Sequence, residues 1–380
     1  MHRVRHAARH RSVLLSIIGL LVVACGAPAI TSSPSPSVAA VATASPSPSP
    51  SPTPSPTPSA SPSPTPSPTA TPVPSMLPAA LSGVMVDRRL ADRLPLAVMI
   101  DDARVARPQS GFNAASIVYQ APADGYETRY LMIFQEGEAK AVGPVRSARF
   151  FLVQWSSEVE AALAHYGGDR RSRSYIKWHP TFFTDVDALG RGSSAYHRVN
   201  TKKKPHNGYT TTKKLRNVAY KLGGPRKMDT DLFRRPFRDP SALADRGPAG
   251  EWVRIPYWTN TISFRYHRPT NQYRRSVDGR AQFDPADGKR VTATNVVVLF
   301  QKFRIDTKIE PGHARPDIKT IGRGKALVYH EGRVIKATWR KASDTGPTRL
   351  FDANDKEIEL VRGRTFFQVV PPGMRVTDSH

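Results

Sequence analysis

The sequence predicts an α+β protein: a mixed α/β first domain, then a mostly antiparallel β second domain, both behind a signal peptide and a disordered Pro/Ser/Thr linker. Three observations carry this. About 75 of the 380 residues, all at the N-terminus, have a composition that cannot pack, which leaves roughly 300 to bury a core. Between Leu96 and Leu222, continuous apolar runs alternate with helical patterns. From Trp252 onward the texture becomes short alternating runs, aromatics and turns.

The N-terminus reads first as a targeting segment. Arg3, Arg5, Arg9 and Arg11 form a basic region, and Val13 to Ala24 form an apolar stretch of signal-peptide length, too short to span a bilayer. It ends in Val22-Val23-Ala24-Cys25-Gly26, which resembles the bacterial lipobox. That resemblance implies removal of residues 1–24 and lipidation of Cys25; the alternatives are an ordinary signal peptide or an uncleaved anchor. Cys25 is the single cysteine, so neither an intramolecular disulfide nor a cysteine-based zinc site is expected. Residues 25–80 are expected to be stalk. Thr31 to Ser75 is Ser-Pro and Thr-Pro repeat broken by Val38 to Ala44, without charge and nearly without large apolar side chains. Such a segment cannot offset its ordering entropy and favours extended polyproline II.

The charge is +25, and the four arginines before Cys25 account for four, leaving +21 on the rest. His165 to Pro240 holds 18 Lys and Arg against 6 Asp and Glu. An excess so concentrated predicts polyanionic neighbours: phosphate-rich wall polymer, anionic lipid headgroups or nucleic acid. The extracytoplasmic address argues against nucleic acid.

The first domain is expected over residues 81–224. Leu96 to Ile100 is a buried central strand ending in Asp101-Asp102. Arg107 to Gly111 is a loop, Ser116 to Gln120 a second strand, and Asp124-Gly125 a turn into Glu127 and the strand Tyr130 to Phe134. Ala141 to Phe150, AVGPVRSARF, connects that strand to a helix over Phe150 to Glu160, with Ser147 as the expected N-cap. A strand ending at His165 follows, then a short helix over Arg170 to Trp178 and strands at Phe182 to Val186 and Tyr196 to Val199. Lys202 to Gly208 is a loop, and Thr210 to Thr212 cap a helix reaching about Leu222.

The second domain is expected over 225–380, after a Gly223-Gly224-Pro225 hinge. Hairpins are expected around Pro269-Thr270-Asn271, His330-Glu331-Gly332 and Asp352 to Lys356. Asn295 to Phe303 reads as one apolar strand and Thr365 to Val370 as the last.

Several long stretches carry a family resemblance. PLAVMIDDARVARPQSGFNAASIVYQAPADGYETRYLMIFQ, GPVRSAR, HYGG and KKPHNGYTTTKKL, followed by EWVRIPY, NVVVLFQKFRI and TWRKASDTGPTRLFDANDKEIELVRGRTFFQVVP, resemble the YerB-like family of bacterial lipoproteins in matching order from Pro95 to Pro371. The resemblance implies two adjacent domains of unknown function, a lipoprotein leader and a disordered spacer; it implies no reaction. Asp102, Tyr126 and Phe150 depart from the family pattern, which favours Asn, Gly and Pro there.

The candidate binding set is Arg107, Arg146, Ser147, Arg149, Arg198, Lys204 and Asn207. Arg146 and Arg149, three apart at a helix start, would either grip an anion or bridge Asp101 or Glu127 as structural pairs. Asp101, Glu127, His165 and His206 are the candidate catalytic groups, as general acids or bases; each has a plainer role in an ion pair or the core. Asp101, Asp102, Asp124 and Glu127 would also suit a divalent cation, but no dense acidic loop is present and no metal is expected. Without a P-loop or a strand–GxGxxG–helix unit, no nucleotide cofactor is expected.

Two functions fit. One is a membrane-anchored, wall-side binding or scaffold module for anionic envelope material or a wall-synthesis protein. The other is a hydrolase or transferase acting on a phosphate or glycan substrate, which requires a carboxylate and a histidine in hydrogen-bond reach beside the arginines.

Overall fold

Six consecutive buried residues, Leu96–Asp101, form the strand β1 near the middle of the fold. The computed structural model describes residues 75–380 apart from 232, 234 and 311; the expected leader, Cys25 and most of the stalk lie outside the described residues. Met76–Pro78, inside the stretch expected to be stalk, instead pairs antiparallel with Met85–Asp87.

In chain order, β1 is followed by β2 (Ile117–Pro122), β3 (Thr128–Phe134), helix α1 (Phe150–Ser156), β4 (Ala162–His165), α2 (Arg170–Trp178), β5 (Thr184–Asp187) and α3 (Thr212–Lys221). Then come β6 (Trp252–Pro256), β7 (Thr261–His267), β8 (Gln272–Val277), β9 (Asn295–Phe300), β10 (Phe303–Glu310), β11 (His313–Ile318), β12 (Gly322–His330), β13 (Arg333–Lys341), β14 (Arg349–Phe351) and β15 (Thr365–Val370).

One ten-stranded sheet runs β14-β13-β12-β9-β15-β2-β3-β1-β4-β5. Its strands come from both halves of the sequence. They meet at β15, which pairs parallel with β9 on one side and with β2 on the other. A six-stranded antiparallel sheet built on β6, β7 and β8 covers one face. Val253, Ile255, Phe264 and Tyr273 from that sheet join Val98, Ile100, Met132, Val298 and Phe366 from the large one, together with Leu215 and Ala219 of α3. Phe151, Leu152 and Trp155 of α1 and Ile176 of α2 cover the other face, against Met99, Tyr119, Leu131 and Phe367. Tyr119 lies stacked between Trp155 and Phe367, at 4.7 and 4.6 Å between ring centres. The alternation along each strand of the large sheet divides its side chains between these two cores.

The fold is α+β, with strands dominating the second half. Several expected elements shift. The apolar run from Asn295 breaks after Phe300, where Gln301 is buried and hydrogen-bonds through its backbone to Val370. The chain then leaves the sheet to build the separate β10–β11 hairpin. The expected Arg349/Glu357 hairpin reduces to a single bridge between Phe351 and Glu357, and Leu360–Val361 pairs parallel with Phe237–Arg238 instead. The expected helix at Phe150 ends at Ser156 and tightens into a 3-10 turn over Ser157–Val159. Its N-cap is Arg149, with no side-chain cap bond, so Ser147 does not cap it.

A fully buried arginine lies within the core between the two sheets. Arg275 of β8 donates to Gln120 Oε1 at 2.7 Å, to Tyr130 Oη at 3.0 Å and to Gln282 Oε1. No carboxylate pairs with it among the described residues. Its guanidinium is instead surrounded by the rings of Phe112, Tyr130, Phe264 and Phe366, all within 5.8 Å.

Candidate functional site

β1 delivers two adjacent carboxylates to its C-terminal end, both 2 % exposed. A buried carboxylate stays charged only if donors surround it, and here they come from distant parts of the chain. Asp102 accepts through Oδ1 from Arg107 Nε at 3.1 Å and Gln109 Nε2 at 2.9 Å. Through Oδ2 it accepts from Gln120 Nε2 at 3.1 Å, Asn260 Nδ2 at 3.3 Å and the Thr128 hydroxyl. Gln120 also receives Arg275, so the Asp102 network continues into the core. With five donors on it, Asp102 anchors the loop and has no oxygen left for a ligand.

Asp101 is placed differently. Its Oδ1 accepts the Ala103 N–H at 3.1 Å, while Oδ2 faces His206 Nδ1 at 2.7 Å. Arg146 Nε approaches the same oxygen at 3.0 Å, but its N–H is not aligned for a hydrogen bond, so the attraction is mainly Coulombic. A carboxylate can only accept, so Nδ1 of His206 carries the proton and Nε2 is left to face whatever arrives. The His206 side chain is 21 % exposed. Glu127, half-buried nearby, has its carboxyl pushed up by burial and by the charges of Asp101 and Asp102.

The Ala141–Phe150 connection carries Arg146 past this point. Its entry requires Gly143, whose φ is +155° and where a Cβ would stand 2.7 Å from the Tyr209 ring. Arg149, 7 % exposed, turns the other way. It donates to Asp124 Oδ2 through Nε at 2.8 Å and again through Nη2, and to the Ala148 carbonyl through Nη1 at 2.8 Å. Asp124 also holds Arg129 at 3.4 Å and Arg315 at 3.1 Å. Burial opposes its charge, but the three arginines outweigh that and hold its carboxyl at about 2. Arg129, buried, is pulled down to about 9 by desolvation and by Arg149, and it donates to the Ser147 carbonyl at 3.0 Å. Arg107, besides holding Asp102, reaches Asp278 at 3.3 Å.

The basic loop is partly pinned and partly free. Lys202 donates to the carbonyls of Ala106 at 2.6 Å and Pro108 at 2.8 Å and to Tyr209 Oη at 2.9 Å. Arg198 donates to Asn207 Oδ1 at 2.7 Å and lies over the Tyr166 ring, while Asn207 donates to the Val199 carbonyl at 3.0 Å. Lys203 and Lys204 are exposed and have no carboxylate partner among the described residues.

His165 is not part of this cluster. It is buried at the end of β4, with Nδ1 2.7 Å from the Gly167 carbonyl and Nε2 2.9 Å from Asp185 Oδ1 of β5. Both neighbours accept, so both nitrogens are protonated. Burial resists that charge, but the Asp185 hydrogen bond, the charges of Asp185 and Asp187 and the Gly167 carbonyl together raise its pKa. With both nitrogens committed, His165 has none free for proton transfer to a substrate.

Residues 81–224 match the family described as "Protein of unknown function (DUF3048) N-terminal domain" and residues 253–367 its C-terminal domain. Over 304 residues the chain is 30 % identical to "Putative lipoprotein YerB" of Bacillus subtilis, covering 78 % of this chain and 86 % of that one. The chain belongs to the YerB-like family. The crystal structure of the YerB protein from Bacillus subtilis superposes with a TM-score of 0.70 at 28 % identity, covering 80 % of this chain and all of that one. No helix among the described residues of this YerB-like chain is long and apolar enough to cross a membrane. No group of three or more His, Cys, Asp or Glu among them is arranged to hold a metal ion.

In this YerB-like fold, then, Asp101, Arg146, Glu127 and His206 come together, with Asn207 and Lys204 on the loop that carries His206 and Arg198 on the short strand His197–Arg198 before it. Arg107 and Arg149 are engaged by Asp102 and Asp124, and Ser147 contributes its carbonyl. The sequence reading missed the donors Gln109, Gln120, Thr128 and Asn260. Only the unusual Asp102 pointed toward them, as a buried acid that must find partners.

Proposed function

We propose that this protein is a lipid-anchored module on the extracytoplasmic face of a bacterial membrane, and that it binds anionic cell-envelope material. The relative's name supports the anchor, and the net +21 after the leader supports the polyanionic partner. The observation that carries the reading is the contrast around His206. The inner cations Arg107, Arg146 and Arg149 are neutralised by carboxylates, while Arg198, Lys203 and Lys204 present charge that no carboxylate answers among the described residues. Unanswered surface cations attract anions in a salt-dependent way. The test is binding of the full chain to purified anionic wall polymer at low and high salt. The expected result is binding that weakens as salt rises; binding absent at both salt levels would refute the reading.

A second reading, a hydrolase or transferase on a phosphate or glycan substrate, is favoured by Asp101 holding His206 at 2.7 Å beside Arg146. In that case Asp101 orients the imidazole, Nε2 activates water and Arg146 steadies an anionic group. His206→Gln separates the two. Turnover of envelope substrate lost in the variant supports the enzyme, and unchanged polymer binding without turnover in either protein supports the module.

A further inference from the structure

We propose that a basic groove at the outer end of β12 binds a linear phosphodiester polymer. The proposal rests on the anion-binding reading above and gives it a ligand class and a second contact surface, remote in sequence from His206.

Two cavities, of about 830 and 710 Å³, share Lys302, Lys319, Ile321, Gly322 and Pro372 in their walls and so form one continuous groove. It lies where β12 outruns its neighbour. β9 pairs with β12 only as far as Leu299 with Ala326, so Gly322 to Lys325 have β13 on one side and no paired strand on the other.

Four cations, Lys302, Lys319, Arg323 and Lys325, line the groove and are exposed. None of the four forms an ion pair or side-chain hydrogen bond among the described residues. The one acid in the lining, Asp317, is already taken by Arg171 at 2.9 Å and Arg304 at 2.8 Å. Arg323 also sits across the ladder from Arg340, but Arg340 is answered by Asp355, so Arg323 is the member of the pair left without a carboxylate among the described residues. Exposed cations near acids normally find them within the fold; four together without one leave a field that a ligand must answer.

The shape selects an extended ligand. The four charges are strung along a continuous groove, and Arg323 and Lys325 are about 7 Å apart along the strand, on the scale of one repeat of a phosphodiester backbone. Each cavity has an aromatic residue in its lining, Phe303 in the larger and the mostly buried Trp339 in the smaller. Trp339 is fixed by its Nε1–H to the Phe300 carbonyl at 2.9 Å, and the approach is open because residue 324 is glycine: a Cβ there would stand 2.6 Å from that nitrogen. Lysine ammoniums along a trough suit phosphates that each carry one fixed charge, with apolar surface for the linking carbons or sugars.

The test uses the full chain and a poly(glycerol phosphate) probe, followed by fluorescence anisotropy across a salt series. The variant Lys302→Ala, Lys319→Ala, Arg323→Ala, Lys325→Ala changes only exposed side chains and should keep the wild-type unfolding midpoint. It is expected to lose at least tenfold in affinity, and the slope of log affinity against log salt should fall by about one unit for each phosphate contact removed. A parallel variant, Arg198→Ala, Lys203→Ala, Lys204→Ala, reports on the His206 surface. If the groove variant binds like wild type while the loop variant does not, the groove proposal is overturned and the anion-binding reading stands. If the wild type does not bind the probe, both fall. If polyglutamate of equal length binds as tightly, the phosphodiester assignment is overturned.

Discussion

His206 Nδ1 lies 2.7 Å from Asp101 Oδ2, the same oxygen that Arg146 approaches at 3.0 Å. One carboxylate oxygen therefore secures both the loop that carries His206 and the connection that carries Arg146. Asp101→Asn keeps the shape but removes the charge and turns an amide toward two donors. It is expected to cost about 1–3 kcal/mol in urea unfolding at neutral pH. A cost below about 0.5 kcal/mol would show that His206 and Arg146 do not depend on Asp101.

Asp124 makes stability acid-sensitive. Its carboxyl sits at about 2, below its ordinary 3.8. A depressed carboxylate contributes stability that is present above its unfolded value and lost as pH falls through the folded one. The loss should therefore fall between pH 4 and pH 2 and amount to about 2 kcal/mol. Asp124→Asn should flatten that limb of the stability curve while lowering stability at neutral pH. An unchanged acid limb in the variant would refute the assignment.

His165 works in the opposite sense. Its folded pKa is raised, so its contribution is full below the unfolded value near 6.5 and is lost as pH rises through the folded one. Nitrogen-detected NMR at pH 6 should find both ring nitrogens protonated, and Asp185→Asn should shift the loss of the second proton to lower pH. A neutral imidazole at pH 6 would contradict the two-acceptor geometry.

Arg275→Met tests the buried arginine. The substitution leaves Gln120 Oε1, Tyr130 Oη and Gln282 Oε1 without their shared donor. A loss of about 2–4 kcal/mol is expected, since orphaned buried polar atoms cost more than the removed charge saves. A stabilised variant would mean that the aromatic cage prefers an apolar occupant.

Gly324→Ala drives a Cβ to 2.6 Å from Trp339 Nε1 and 2.9 Å from the Phe300 carbonyl. The bond between those two groups must then give way, at an expected cost of about 1–3 kcal/mol by thermal unfolding. An unchanged midpoint would mean that the indole moves aside freely.

Much of this molecule was legible in the sequence because the signals were local. The apolar run at Leu96, the Arg170–Trp178 helix and the hairpins around Asn271 and Glu331 are each declared within a dozen residues. Tyr126, where the family pattern favours glycine, has φ of +61°, a conformation that glycine adopts without strain. What stayed hidden depends on partners far along the chain. Nothing near Arg149 names Asp124 or Arg315 as its neighbours, and nothing near Asp102 names Asn260. Lys302 and Arg323 read as ordinary surface cations until the break after Phe300 places both on one groove. Periodicity says which face of a strand is buried, but it does not say which distant strand will cover it.

β15, almost the last segment to be made, fills the gap between β9 and β2. A ribosome releases the first nine members of this sheet's row and still leaves two raw edges without the strand that joins them. No N-terminal fragment that stops short of β15 can seal itself. A truncation near residue 365 would therefore cost the whole sheet its closure, not merely a tail.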